Sequence, residues 1–196
     1  IHRIGDGLQG LDELSPKVVV APFALNGLDE GLTVATLAPF ARVAAGQMVA
    51  TVKIIPFSLA EALIGEAETL ARSESLRVAV TPFMGKHAGL VLTRLPQSKP
   101  SVLKKREGAM RTRLTALGAT LDLVETVPHE VGEIGRAIAR QSAEGLDPIL
   151  VFGASAIVDR GDVVPAGLVA AGGAVEHLGL PVDPGNLLML GRIAGA

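Results

Sequence analysis

Apolar and polar residues follow two different periods along this chain, and the change of period predicts its organisation. The first part consists of short β-type runs at 18–23, 32–40 and 49–57, each closed by Pro-Phe (Pro22-Phe23, Pro39-Phe40, Pro56-Phe57). A fourth run, 76–83, ends the same way at Pro82-Phe83. Proline has no amide hydrogen to give to a ladder, so it marks strand ends, and the phenylalanine after it is expected to fold back on the sheet. Residues 42–53 (RVAAGQMVATVK) carry a glycine between alternating apolar runs and predict a hairpin. Ser58-Leu59-Ala60-Glu61 is a capping box. It predicts a helix over 59–72, with Leu59, Leu63, Ala67 and Leu70 on one stripe.

From residue 76 the pattern becomes strand, helix, strand, helix. Residues 88–93 predict a strand of the buried type, and 101–117 predict a helix closed by Gly118. Residues 120–127 predict a strand, 130–144 a helix stopped by Gly145 and Pro148, and 149–152 a strand. Residues 163–171 predict a helix ended by Gly172-Gly173, and 174–179 and 187–190 are strand-like. Such alternation implies right-handed βαβ units. The expected fold is α/β, a three-layer sandwich with a mostly parallel sheet, preceded by a small β-rich unit. The expected division is 1–57 for that unit, 58–75 for a helical connector and 76–196 for the α/β domain.

Composition narrows the chemistry. The 196 residues include 23 glycines and no cysteine, tryptophan or tyrosine, which excludes disulfides, thiolate metal sites and cysteine nucleophiles. With 18 basic and 20 acidic residues the net charge is −2, so the overall field attracts neither nucleic acid nor an anionic membrane. No apolar run approaches the roughly 20 residues of a membrane span, and a cytoplasmic location is expected. The chain starts at Ile1-His2-Arg3 and stops at Gly195-Ala196, so a piece of a longer protein is expected, truncated at its C-terminus.

In parallel sheets ligands bind beyond the carboxyl ends of the strands, which directs attention to the loops after Thr93, Val127 and Phe152. The last of these, Gly153-Ala154-Ser155-Ala156, has small residues whose amides can approach an anion, with Ser155 adding a hydroxyl. Asp162 falls where a helix N-cap belongs and Pro165 in the first turn beyond it. Residues 98–113 hold six cations against Glu107, and Ser101 is placed to cap the helix there, so this is a second candidate anion site. Pro181 to Asn186 form a rigid turn. The four histidines, His2, His87, His129 and His177, lack metal-ligand spacing, and structural roles are expected for them. His129-Glu130 opens a helix on the same loop edge. The sequence shows no Ser/His/Asp set and no G-x-S-x-G elbow.

Together these loops resemble the molybdopterin-binding domain of molybdenum-cofactor biosynthesis proteins, the adenylyltransferases and insertases. The family's G-G-T-G loop followed by R-D-V-T-P-x-A-L is matched by Gly153-Ala154-Ser155-Ala156 and then Arg160-Gly161-Asp162-Val163-Val164-Pro165-Ala166-Gly167-Leu168. Leu90-Val91-Leu92-Thr93 resembles the first strand, Leu117-Gly118-Ala119 a turn, Thr126-Val127-Pro128-His129-Glu130 the V-x-D-D/E segment, and Pro184-Gly185 the insertase P-G-K-P turn.

The resemblance covers about residues 76–196. It implies a cofactor site of Thr93, Ser101, Gly153, Ala154, Ser155, Asp159, Asp162, Pro184 and Gly185, with Asp162 and Glu130 as catalytic acids. The implied ligand is molybdopterin or its adenylylated form, with Mg²⁺ as a further cofactor. It also implies a homotrimer and, in one arrangement, a C-terminal nucleotidyltransferase domain. The alternatives are an active adenylyltransferase or insertase and a non-catalytic scaffold. Two departures bear on metal binding: His129 replaces an acid, and Thr93-Arg94-Leu95-Pro96 replaces an acidic loop. Losing carboxylates favours phosphate over Mg²⁺, a hard cation that needs oxygen ligands.

Overall fold

The structure, a computed structural model, describes residues 17–19, 23–72 and 78–193. Expectations for residues 1–16, His2 included, and for 20–22 and 73–77 lie outside the described residues. The chain forms two units, Ile1–Phe83 and Met84–Ala196.

In the first unit, β1 (Lys17–Val19) pairs antiparallel with β4 (Ala79–Thr81), while β2 (Leu32–Thr36) pairs antiparallel with β3 (Ala50–Ile54). Between them lie α1 (Phe23–Asn26) and α2 (Glu61–Arg72). The helix expected as a connector and the strand at 79–81 therefore both belong to this unit.

The hairpin expected within 42–53 does not form. The partner of 50–54 is 32–36, with Thr33 opposite Lys53 and Ala35 opposite Thr51. Strand β2 is also held by Asn26, whose carboxamide takes the Val34 amide at 2.7 Å and gives to the Val34 carbonyl at 2.9 Å. Gly46 does turn the chain, with φ +77°, but inside the long connection between the two strands. Phe40 and Phe57 stand exposed instead of folding back, and Phe40 has φ +61° in a turn. In α2, Leu63, Ala67 and Leu70 make the half-buried stripe, continued before the helix by Leu59. The helix itself begins at Glu61, two residues after the expected start.

The second unit is α/β. Its strands β5 (His87–Arg94), β6 (Thr120–Pro128) and β7 (Ile149–Phe152) form a parallel sheet in the order β6-β5-β7. Helix α3 (Pro100–Thr115) connects β5 to β6, α4 (Val131–Ala143) connects β6 to β7, and α5 (Val163–Ala170) follows β7. The strands β8 (Ala174–Leu178) and β9 (Met189–Arg192) then pair antiparallel.

Strand alternation sorts the core into two layers. Leu90 and Leu92 of β5 join Leu114 of α3 on one face, and Val91 joins Ile134 and Ile138 of α4 and Leu168 of α5 on the other. Helices therefore cover both faces, which explains why β5 is buried from Ala88 through Thr93. Gly118, Gly145 and Gly172 adopt positive φ after α3, α4 and α5, as expected of helix stops.

One polar group interrupts this core. Gln141 of α4 is fully buried, donating to the Leu90 carbonyl at 3.3 Å and to Glu125 at 3.1 Å, while its Oε1 has no partner. Its carboxamide fills the space beside Gly89, where a Cβ would lie 2.1 Å from Oε1. Arg140 completes the arrangement by gripping Glu125 at 2.6 Å. Among the described residues no helix is long and apolar enough to cross a membrane.

Candidate functional site

The strand order creates a topological switch point. The chain leaves central β5 to one side through α3 and crosses back through α4 to β7 on the other side, so the connections from the ends of β5 and β7 diverge. Such a switch point is where open α/β sheets bind ligands. Register brings three strand ends to one level: Thr93 lies opposite Val127, and Leu92 lies opposite Phe152.

Thr93 organises this edge. Its side chain is fully buried, and its hydroxyl oxygen accepts the Ala154 amide at 2.7 Å and lies 3.3 Å from the Phe152 carbonyl oxygen. The same oxygen is 2.9 Å from Nδ1 of His129, whose Nε2 is 2.8 Å from the Ser155 hydroxyl. The His129 amide donates to the Arg94 carbonyl at 2.9 Å, which fixes the backbone beneath the ring. Thr93, His129 and Ser155 therefore form one hydrogen-bonded row across the ends of all three strands.

The Gly153–Ser155 segment and the acids behind it have separate tasks. Asp162 occupies the N-cap position of α5, but its carboxylate turns back, away from the helix amides, and accepts the amides of Val158 at 2.6 Å and Asp159 at 3.1 Å. These two bonds, Val158 first, hold its carboxyl below the ordinary 3.8, with nearby His129 adding to the effect. Asp162 thus anchors the loop. Asp159 accepts the amide of Gly161 two residues on, a local turn. The amides of Ser155, Ala156 and Ile157 have no acceptor among the described residues and remain available to an anion.

The other expected site residues lie apart from this row. Ser101 does not cap α3. The helix begins one residue earlier because Pro100 fits the first helical position, and Lys99 becomes the N-cap. Ser98 closes the preceding turn by accepting the Leu95 amide at 2.9 Å. Glu130 is the extended N-cap residue of α4, exposed and without a side-chain hydrogen bond or ion pair among the described residues. Pro184 and Gly185 lie in the exposed connection from β8 to β9 and make no hydrogen bond with Thr93, His129 or Ser155.

Two of the six cations of 98–113 are also committed. Arg111 bonds the Leu121 carbonyl and Glu107, and the Arg106 guanidinium lies 4.7 Å over the Phe152 ring. His87 pairs with Asp122 at 2.7 Å at the opposite, amino-terminal edge of the sheet. There the Thr120 hydroxyl and then His87 hold the Asp122 carboxyl below its ordinary value.

The donor set can be tested against the implied ligands. Among the described residues no group of three or more His, Asp or Glu side chains is placed to hold a metal ion. The open amides, the Ser155 hydroxyl and the cations Arg94 and Lys99 at the same strand-end edge fit a phosphate.

The role of His129 was not apparent from the sequence, because its partners are 26 and 36 residues away. The one available signal was its place at the start of a helix on the edge shared with Ser155. No protein-family model matches the chain, and no curated protein matches it.

Proposed function

We propose that the second unit binds molybdopterin, or its nucleotide derivative, by the phosphate end at the switch point between β5 and β7. The observation that carries this reading is the Ser155–Ile157 run of acceptor-free amides beside Ser155 and His129, at the edge of a parallel sheet. A phosphate needs several N–H and O–H donors and a cationic surround, and the acceptor-free amides, the Ser155 hydroxyl, Arg94 and Lys99 at this edge support that reading. The loop pattern Gly153-Ala154-Ser155-Ala156, Asp162 and Pro165, with its resemblance to the molybdopterin-binding family, supplies the identity of the ligand.

Within the site, the three amides hold the phosphate oxygens and Asp162 keeps the loop in the shape that presents them. Arg94 and Lys99 lower the electrostatic cost of bringing a dianion there. With no tryptophan or tyrosine in the chain, and the Phe152 ring covered by Arg106, aromatic stacking contributes little to holding a pterin.

Calorimetric titration of the whole chain with molybdopterin tests the proposal. Saturable binding is expected, weakened about tenfold or more by Asp162→Ala, which releases the loop. Absence of binding under conditions where a molybdenum insertase binds overturns it.

A further inference from the structure

We propose that Ser155 is a nucleophile toward carboxylic esters, with His129 as its general base and Thr93 as the positioning residue that sets the imidazole tautomer. This goes beyond ligand binding and rests on the hydrogen-bond inventory of the row. Thr93 has one proton and two lone pairs. The Ala154 amide fills one lone pair at 2.7 Å, and the Phe152 carbonyl lies 3.3 Å away. The arrangement in which every contact is a hydrogen bond sends the Thr93 proton to that carbonyl. His129 Nδ1–H, 2.9 Å away, then donates to the second lone pair. Nε2 is thereby left unprotonated and accepts the Ser155 hydroxyl proton at 2.8 Å. A serine hydroxyl donating to the bare nitrogen of an oriented imidazole is the arrangement that activates an oxygen nucleophile.

Two more features serve such a reaction. Ser155 is exposed while Thr93 beneath it is fully buried, so the reactive end is open and the orienting end is fixed. The acceptor-free amides of Ser155, Ala156 and Ile157 can receive the negative oxygen of a tetrahedral intermediate. Asp162 lies near enough to His129 for the two to interact electrostatically. Arg94, whose carbonyl accepts the His129 amide, and Glu130, the residue after His129, carry opposite charges.

The chemistry balances with water alone. Ser155 Oγ forms a bond to the acyl carbon as its proton passes to His129 Nε2. The carbon–oxygen bond to the alcohol breaks, and the alcohol takes that proton. Water then attacks the acyl-Ser155, giving one proton to His129, which returns it to Ser155 as the carboxylic acid departs.

The test is hydrolysis of p-nitrophenyl acetate by the full chain, with mass spectrometry of the acetylated peptide. Expected are saturable release of p-nitrophenolate and acetylation at Ser155. Ser155→Ala and His129→Gln are expected to reduce the rate by on the order of 10²-fold. Ser155 is exposed, so its variant keeps the fold, which unchanged thermal unfolding verifies. Thr93→Val, which removes the acceptor facing His129 Nδ1, is expected to lower the rate as His129→Gln does, and the conservative Thr93→Ser to rescue it. Release no faster than in buffer, acetylation at other residues only, or an undiminished rate in Ser155→Ala overturns the proposal. Inorganic phosphate is expected to inhibit competitively through the shared amides. Hydrolysis through Ser155 without molybdopterin binding leaves this inference standing and removes the binding proposal, and the converse result does the opposite.

Discussion

Asp162 shows how one side chain can take a different task from the one its position suggests. At an N-cap it was expected to satisfy the first amides of α5, yet it satisfies Val158 and Asp159 behind it. Both bonds favour the charged carboxylate, so the folded carboxyl titrates below the unfolded value near ~3.9. The sign follows from linkage. The loop's stabilisation is fully present above the unfolded value and is lost as pH falls through the lower, folded one. The protection of the Val158 and Asp159 amides, taken relative to the intrinsic exchange rate at each pH, is therefore expected to be high at neutral pH and to fall on strong acidification. In Asp162→Ala it is expected to be low at every pH. Equal protection in that variant and the parent refutes the anchoring role. The orphaned Oε1 of Gln141 makes the same point from the opposite side, because Gly89 has been left without a side chain to accommodate it.

At the scale of elements, the second unit was largely legible and the first was not, for a physical reason. In the second unit each strand is followed by a helix with its own glycine stop, so local signals coincide with the tertiary arrangement. The β5 run, the α3 to α5 helices and their ends at Gly118, Gly145 and Gly172 could be read directly. In the first unit the pairings are non-local. β1 meets β4 across some sixty residues, and β3 pairs with β2 instead of with the segment next to it in sequence. A glycine at 46 was a true turn signal attached to the wrong strands. The site divides the same way. The Gly153–Ser155 loop was visible as a run of small residues, whereas the Thr93–His129–Ser155 row depends on strand order and register.

The α4–α5 contact is similarly hidden and makes a sharp prediction. A Cβ on Gly167 would lie 2.7 Å from Ile134 Cγ2, and Ile134 is β-branched and fully buried. It has little rotamer freedom with which to yield. Gly167→Ala is expected to destabilise by about 1–3 kcal/mol through overpacking, read as a lowered urea midpoint. Gly145→Ala has open space but positive φ, so its cost there arises from backbone strain alone.

For the whole molecule, the question is which part carries its own folding information. Both apolar clusters lie entirely within residues 88–193, with the parallel sheet between them. A segment of roughly a hundred residues with helices on both faces of its sheet meets the requirement for an independent domain. Residues 84–196 expressed alone are therefore expected to unfold in urea in one cooperative transition, with a slope of about 1–3 kcal/mol per molar. Leu90 is the internal control, since it is fully buried on the α3 face of the central strand. Leu90→Ala is expected to cost about 2–5 kcal/mol in the isolated segment and a similar amount in the whole chain, because the cavity it leaves is enclosed by the same neighbours in both. A segment that binds a hydrophobic dye and melts without a transition contradicts this division of labour. It would mean that the sheet needs residues 1–83 to fold, despite having a complete core of its own.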